Sequence, residues 1–353
     1  MPDWKGNQGF STVQKIYRAL QDGESRMIFT HRLLYSLTED EGQMVCMLQT
    51  LHKQYEICLQ TLLPEKYCVY GAGNTAQNIR ILGRLTSRSP TFYIDKYKTG
   101  EIDGVPILSL DRFYSMSNYK SYMIILAVGS TYEDEVCDNL RQHGICNYKS
   151  YRELIRSDFG KEQYFDLPQM NLSICESFVD AGCYNGADAM AFLRHCPDGT
   201  VYAFEPNPSQ YVICKKKLER VSNARLYPYG IYNQTTILNF EQHNKDDPTR
   251  GDGDGKISEL GNIKIEAVAL DDVLKNEQIS FIKMDIEGAE LAALHGCKQI
   301  IKAQKPKLAI SVYHKPEDIF EIPDYILTLN SNYQLYLRHY RAFSAYETVL
   351  YAV

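Results

Sequence analysis

The sequence predicts an α/β protein with two successive doubly wound units behind a helical segment, and three observations carry that reading. Two strand, glycine-turn, helix passages stand far apart in the chain: "VYGAGNTAQNI" at 69–79 and "SFVDAGCYNGADAMAF" at 177–192. Each leads an apolar strand into glycines and resumes as a helical pattern. That arrangement gathers free backbone N–H groups and the positive end of a helix dipole at one point. Between and after the two passages, short apolar runs alternate with amphipathic stretches, the pattern of parallel strands covered by helices.

Taken in order, residues 1–63 read as a helical segment. Met44, Met47, Leu48, Leu51, Tyr55, Cys58, Leu59 and Leu62 recur at helical spacing, and Ser11 with Gln14 has the form of a capping box. The stripe predicts either packing on the next unit or a homodimer through these helices. Residues 64–150 form a smaller Rossmann-like unit of about four strands: "KYCVYGAG", "TFYID" ending at Asp95, "SYMIILAV", and helices from Thr75 and Tyr132. Residues 151–175, with Pro168, read as a linker. Residues 176–353 form the larger unit, with strands at 177–180, 200–204, 224–229, 264–269, 281–285 and 307–313. "YQLYLRHY" and "ETVLYAV" close it as a hairpin. "RGDGDGK" at 250–256 reads as a glycine-rich loop.

A chain of 353 residues can bury its core without covalent staples. Its ten cysteines form no Cys-x-x-Cys pair and read as reduced, packed thiols, which points to the cytoplasm. No apolar run reaches the length of a membrane span, so no membrane insertion is expected. A net charge of −6 without a Lys/Arg block argues against nucleic acid as a partner.

The chemistry is expected in the larger unit. Asp180, Gly182, Tyr184, Asn185 and Gly186 line the second turn, and Glu205 ends the next strand, where a carboxylate can accept hydrogen bonds from both hydroxyls of a ribose. Cys183, Tyr184 and Asn185 stand where a pyrophosphate needs close backbone approach, so an adenosine without phosphates fits better, as in S-adenosylmethionine. Asp285 ends the strand of "FIKMDIEGAELAAL" and points at the same crevice. Glu287 and Glu290 read either as charges complementing a helix N-terminus or as groups of the site. Tyr313 and His314 end the following strand, where His314 reads either as a satisfied polar residue or as a base beside Asp285. A divalent metal held by Asp285 with Glu287 or Glu290 would offer another route to an acidic hydroxyl, but no ligand spacing requires a metal.

"FVDAGCYNGADA", "YAFEPNP", "LDDVL", "FIKMDIEGAE" and "SVYHKPEDIFEIPDYI", in that order, resemble the FkbM family of S-adenosylmethionine-dependent methyltransferases over about residues 160–353. The resemblance implies the class I methyltransferase fold, a seven-stranded sheet whose last strand is antiparallel. It also implies O-methylation of a hydroxyl on a saccharide or related metabolite, with Asp180, Gly182 and Glu205 as cofactor contacts. Asp285 and His314 are then the candidate catalytic residues.

The first turn, Gly71 and Gly73 with Asp95 after it, has the form of a second nucleotide site. Together with "GVPILSLDRF" it resembles the Rossmann-like N-terminal domains fused to surface-polysaccharide enzymes. It leaves open a nicotinamide-dependent oxidoreductase or a nucleotide-sensing scaffold as alternative functions.

Overall fold

The computed structural model describes residues 7–56, 63–154, 159, 161–242 and 255–353. Three helices come first: α1 (Asn7–Ala19), α2 (Gly23–Thr38) and α3 (Glu41–Gln54). Asp22 and Asp40 break the helical run, because each carboxylate caps the next helix by accepting a backbone N–H, from Ser25 at 2.8 Å and from Gly42 at 2.9 Å. Ser11, expected to cap, lies inside α1 instead. Met44, Met47, Leu48 and Leu51 are all covered within the chain, so that part of the stripe is not a homodimer surface. Cys58, Leu59 and Leu62 lie outside the described residues.

The first sheet holds β1 (Tyr67–Tyr70), β2 (Tyr93–Ile94), β3 (Gly100–Ile102), β4 (Val105–Leu108), β5 (Met123–Leu126) and β6 (Tyr148–Ser150), in the order β3-β4-β2-β1-β5-β6. It therefore has six strands rather than about four. The additions are short, and β3 pairs antiparallel with β4 across a turn at Asp103–Gly104, too brief for a periodicity signal.

In the larger unit, β7 (Ser177–Ala181), β8 (Thr200–Phe204) and β9 (Ala224–Tyr227) are followed by an outlying sheet. That sheet consists of β10 (Gly230–Ile231), β11 (Thr236–Glu241), β12 (Lys256–Ile257) and β13 (Ile263–Val268). The strand expected over 224–229 is thus split after Tyr227, where Pro228 can donate no ladder hydrogen bond. Then come β14 (Phe281–Met284), β15 (Lys307–Ser311), β16 (Leu335–His339) and β17 (Thr348–Ala352). The seven-stranded order is β16-β17-β15-β14-β7-β8-β9, with β17 antiparallel to both neighbours, as a class I sheet requires. Its strand order reverses between β14 and β7, which puts a crevice beyond their carboxyl ends. Residues 243–254, which include most of the glycine-rich loop, lie outside the described residues.

The helices cover the far edge of this sheet. Gln21 donates its N–H to Leu335 O at 3.0 Å, and Ser25 Oγ accepts the Leu337 N–H at 2.9 Å, which protects the exposed side of β16. Arg32, buried, bonds Ala345 O and Thr348 Oγ1. His339 sits beneath, its Nε2–H donating to Ser344 O at 2.9 Å while Nδ1 accepts from the Thr348 hydroxyl at 2.8 Å. Burial, with Arg32 adding to it, pushes the His339 pKa down to about 3. The unfolded chain therefore binds a proton there below about pH 6.5 that the folded chain refuses, and stability present above that pH is lost as pH falls toward 3. Between pH 6.5 and 5 this group alone removes about 2 kcal/mol. Urea midpoints at the two pH values should fall less for His339→Gln than for wild type, and equal falls would refute this account.

Candidate active site

The second turn is built around one glycine that has no alternative. Gly182 has φ +77°, and a Cβ there would lie 2.1 Å from the carbonyl oxygen of Asp285, so only glycine lets the chain pass the end of β14. The N–H groups of Gly182 and Cys183 both donate to Phe204 O, pinning the turn to β8. Tyr184 (φ +50°) and Gly186 (φ +73°) complete it, and Asn185 Oδ1 accepts the Ala187 N–H at 3.0 Å as the helix Ala187–His195 begins. Tyr184 is exposed at the mouth.

Asp180 does not face that mouth. It is fully buried under the turn, where Lys283 Nζ meets its Oδ1 at 3.0 Å, Gly182 O at 3.0 Å and Asp188 Oδ2 at 3.1 Å, and lies 5.2 Å from the centre of the Tyr164 ring. Its Oδ1 holds the turn through Lys283, while its Oδ2, the oxygen left for the expected cofactor contact, has no hydrogen-bond partner among the described residues. Burial pushes the Asp180 carboxyl up to about 6, against the opposing pull of Lys283. Burial likewise opposes the charge on Lys283, but Asp180, Asp188 and Asp285 outweigh it and raise its pKa. The pair is charged at neutral pH.

Glu205, nearly buried at the end of β8, accepts the Tyr184 N–H at 2.8 Å and the Asn207 N–H at 2.9 Å, one on each oxygen. Burial raises its carboxyl to about 7 despite those two donors. Each oxygen keeps a lone pair for a further donor such as a ribose hydroxyl.

At the end of β14, Asp285 Oδ2 accepts from the Tyr164 hydroxyl at 2.8 Å and Oδ1 from the Tyr313 hydroxyl at 3.1 Å. His314 lies across from it: Nε2 is 3.4 Å from Asp285 Oδ1 and 3.6 Å from Glu287 Oε2, and Nδ1 is 2.9 Å from Glu290 Oε1. Burial disfavours a charged ring, but Glu290, Asp285 and Glu287 together lift the His314 pKa to about 9. These carboxylates favour the charged ring over the neutral imidazole that the expected base beside Asp285 requires. Glu290 opens the helix Glu290–His295, where it is completely buried and its Oε1 accepts the Ile286 N–H at 2.8 Å. Asp285, Glu290 and His314 each offer a ligand atom, all within 4.8 Å of one another.

The first turn has the same build. A Cβ on Gly71 (φ +105°) would lie 2.4 Å from Ala127 O, and Gly73 precedes the helix Asn74–Thr86. Asp95 accepts N–H groups from Ala72, Tyr97 and Lys98, while Lys98 Nζ reaches Ala72 O at 3.0 Å. Its two oxygens thus hold three backbone donors, one more than Glu205 holds.

Sequence reading missed Tyr164 and Lys283. Tyr164 falls in the stretch taken as a linker, yet Tyr164, Phe165, Leu167 and Met170 are buried against the seven-stranded sheet. No local pattern marks it. Lys283 did leave a signal: one lysine inside the apolar strand "FIKM", which burial permits only with partners.

The model of the methyltransferase FkbM domain family matches residues 180–336. The 2-O-methyltransferase NoeI of Sinorhizobium fredii (strain NBRC 101917 / NGR234) is 28% identical over 35% of this chain and 58% of its own, so the chain spans somewhat over half of that relative. A crystal structure of the methyltransferase FkbM from Methylobacillus flagellatus KT is similar with a TM-score of 0.49 and 19% identity, over 89% of this chain and 99% of that one. Aeropyrum pernix fibrillarin, solved with natively bound S-adenosyl-L-methionine, is similar with a TM-score of 0.34 and 11% identity, over 52% of this chain and 69% of that one. Among the described residues, no helix is long and apolar enough to cross a membrane.

Proposed function

We propose, from the match of the methyltransferase FkbM domain model to residues 180–336, that this protein transfers the methyl group of S-adenosylmethionine to a hydroxyl of a saccharide or related metabolite. The observation that carries this reading is the Asp285 carboxylate, fixed by the Tyr164 and Tyr313 hydroxyls at the strand ends that also bear the 182–186 turn and Glu205. The similarity to a relative named a 2-O-methyltransferase supports oxygen as the acceptor.

The fit of the donor rests on the residues present. The glycine turn lies beyond the end of its strand, and each Glu205 oxygen, holding one backbone N–H, keeps a lone pair that a ribose hydroxyl could use. The bound sulfonium supplies a methyl carbon already activated toward nucleophiles. What the chain adds is position, worth up to about 7–11 kcal/mol when nucleophile and carbon are held in line. As the new C–O bond forms and the C–S bond breaks, the hydroxyl becomes strongly acidic, and Asp285 receives its proton. Tyr164 and Tyr313 aim the carboxylate for that transfer.

Saturating S-adenosylhomocysteine, at a hundredfold excess over its Kd, should stabilise the protein by about 2.7 kcal/mol, and NAD by much less. A thermal shift with NAD and none with S-adenosylhomocysteine would favour an oxidoreductase or a sensing scaffold that uses Gly71, Gly73 and Asp95. By calorimetry, Glu205→Ala should weaken S-adenosylhomocysteine binding while Asp95→Ala leaves it unchanged. Equal losses in both variants would mean that the two turns share one site.

A further inference from the structure

We propose that Asp285, Glu290 and His314 form a divalent-cation site at the carboxyl end of β14, where the cation would bind the acceptor oxygen next to the donor crevice. The proposal rests on the methyltransferase reading only for that catalytic consequence. Cation binding itself is read separately.

The donor set is a mixed one of two carboxylates and an imidazole, with ligand atoms within 4.8 Å of one another. Hard oxygen ligands with one imidazole suit Mn²⁺ and its first-row neighbours. An independent observation points to a missing ligand. Glu290 is completely buried, its Oε1 is engaged by the Ile286 N–H, and its Oε2 has no hydrogen-bond partner among the described residues. Buried carboxylate oxygens without a partner are rare, and an ion is one of the few species that resolves them.

Charge counts the same way. Asp285, Glu287 and Glu290 all lie within 3.6 Å of the one His314 ring, and Lys283 is the other cation that acts on Asp285, so three negative charges face at most two positive charges there. A divalent cation that replaces the ring proton comes closer to balance. The surroundings match those of ligating carboxylates and histidines, which are themselves held by outer hydrogen bonds. Asp285 receives the Tyr164 and Tyr313 hydroxyls and still has a lone pair on each oxygen. Glu290 is fixed by its bond to the Ile286 N–H. The intervening Glu287 and Gly288 both have left-handed backbone, φ +55° and +92°, which brings Glu290 back beside Asp285. A Cβ on Gly288 would meet Lys315 Cε at 3.1 Å, so the loop lies close against the segment that carries His314.

The test uses the full chain, stripped with a chelator and titrated with Mn²⁺ while free Mn²⁺ is followed by electron paramagnetic resonance. One Mn²⁺ per chain is expected, with a nitrogen coupling in the pulsed spectrum. Glu290→Gln, which keeps the shape of the side chain, should weaken binding at least tenfold. His314→Gln should abolish the nitrogen coupling even if some cation is retained. Both variants are checked for folding by their thermal shift with S-adenosylhomocysteine. No Mn²⁺ bound at millimolar concentration, or binding unchanged in a folded Glu290→Gln, would overturn the proposal. If Mn²⁺ fails to bind while S-adenosylhomocysteine still stabilises the chain, the cation site falls and the donor assignment stands. If Mn²⁺ binds as expected without any S-adenosylhomocysteine response, the reverse holds.

Discussion

Lys283→Met is expected to destabilise the protein by about 3–5 kcal/mol, the usual effect of removing one partner of a buried ion pair. Lys283 is 2% exposed and Asp180 0%, so no solvent replaces the lost ammonium. Among the described residues, Asp180 Oδ2 has no hydrogen-bond partner, and Oδ1 is held by Lys283. Asp188, over a third exposed, can turn to water and adds little. The loss reaches function because Lys283 also holds Gly182 O, and with it the turn on which the donor is proposed to lie. Donor affinity should therefore fall along with stability. Replacing both members, Lys283→Met with Asp180→Leu, should recover much of the stability, since a buried pair exchanged for apolar groups is often neutral. Donor binding should stay weak in that double variant. Urea unfolding decides the matter: a single variant within 1 kcal/mol of wild type, as an order-of-magnitude bound, would mean that Asp180 regains water.

Asp285→Asn should lower kcat by about 10²–10⁴-fold, the contribution ordinarily made by a positioned general base. Asparagine keeps the size and still accepts from one of the two tyrosines, but its amide cannot take the acceptor's proton. Binding of S-adenosylhomocysteine should change by no more than a few-fold, because Asp285 meets the reacting hydroxyl rather than the ribose. Steady-state kinetics with the acceptor, alongside calorimetry with S-adenosylhomocysteine, separates the two effects. A kcat within threefold of wild type would remove Asp285 from the proton-transfer step. Equal losses of kcat and donor affinity would instead mean that the substitution deforms the crevice, which is plausible for a residue whose carbonyl oxygen lies against Gly182.

The sequence by itself determined the strands of the larger unit's seven-stranded sheet, its closing hairpin and the places of Gly182, Glu205 and Asp285 just past strand ends, but neither the strand order nor the outlying sheet that takes β10 to β13. The former follow from local signals, namely apolar runs of strand length, glycines where the turn needs positive φ, and carboxylates placed just past strand ends. Even the folding of residues 44–51 onto a core was legible as a stripe, though not which surface would cover it. Burial and charge were decided only by tertiary structure. Asp180 reads as a ligand contact from its place at a strand end, and only the fold sets Lys283 of a neighbouring strand beneath the turn with it. Likewise only the fold brings Glu287 and Glu290 around His314, and Tyr164 reads as linker until its hydroxyl meets Asp285. A residue's charge state depends on its solvation and on every charge within a few ångströms, and those neighbours come from segments that no spacing rule relates.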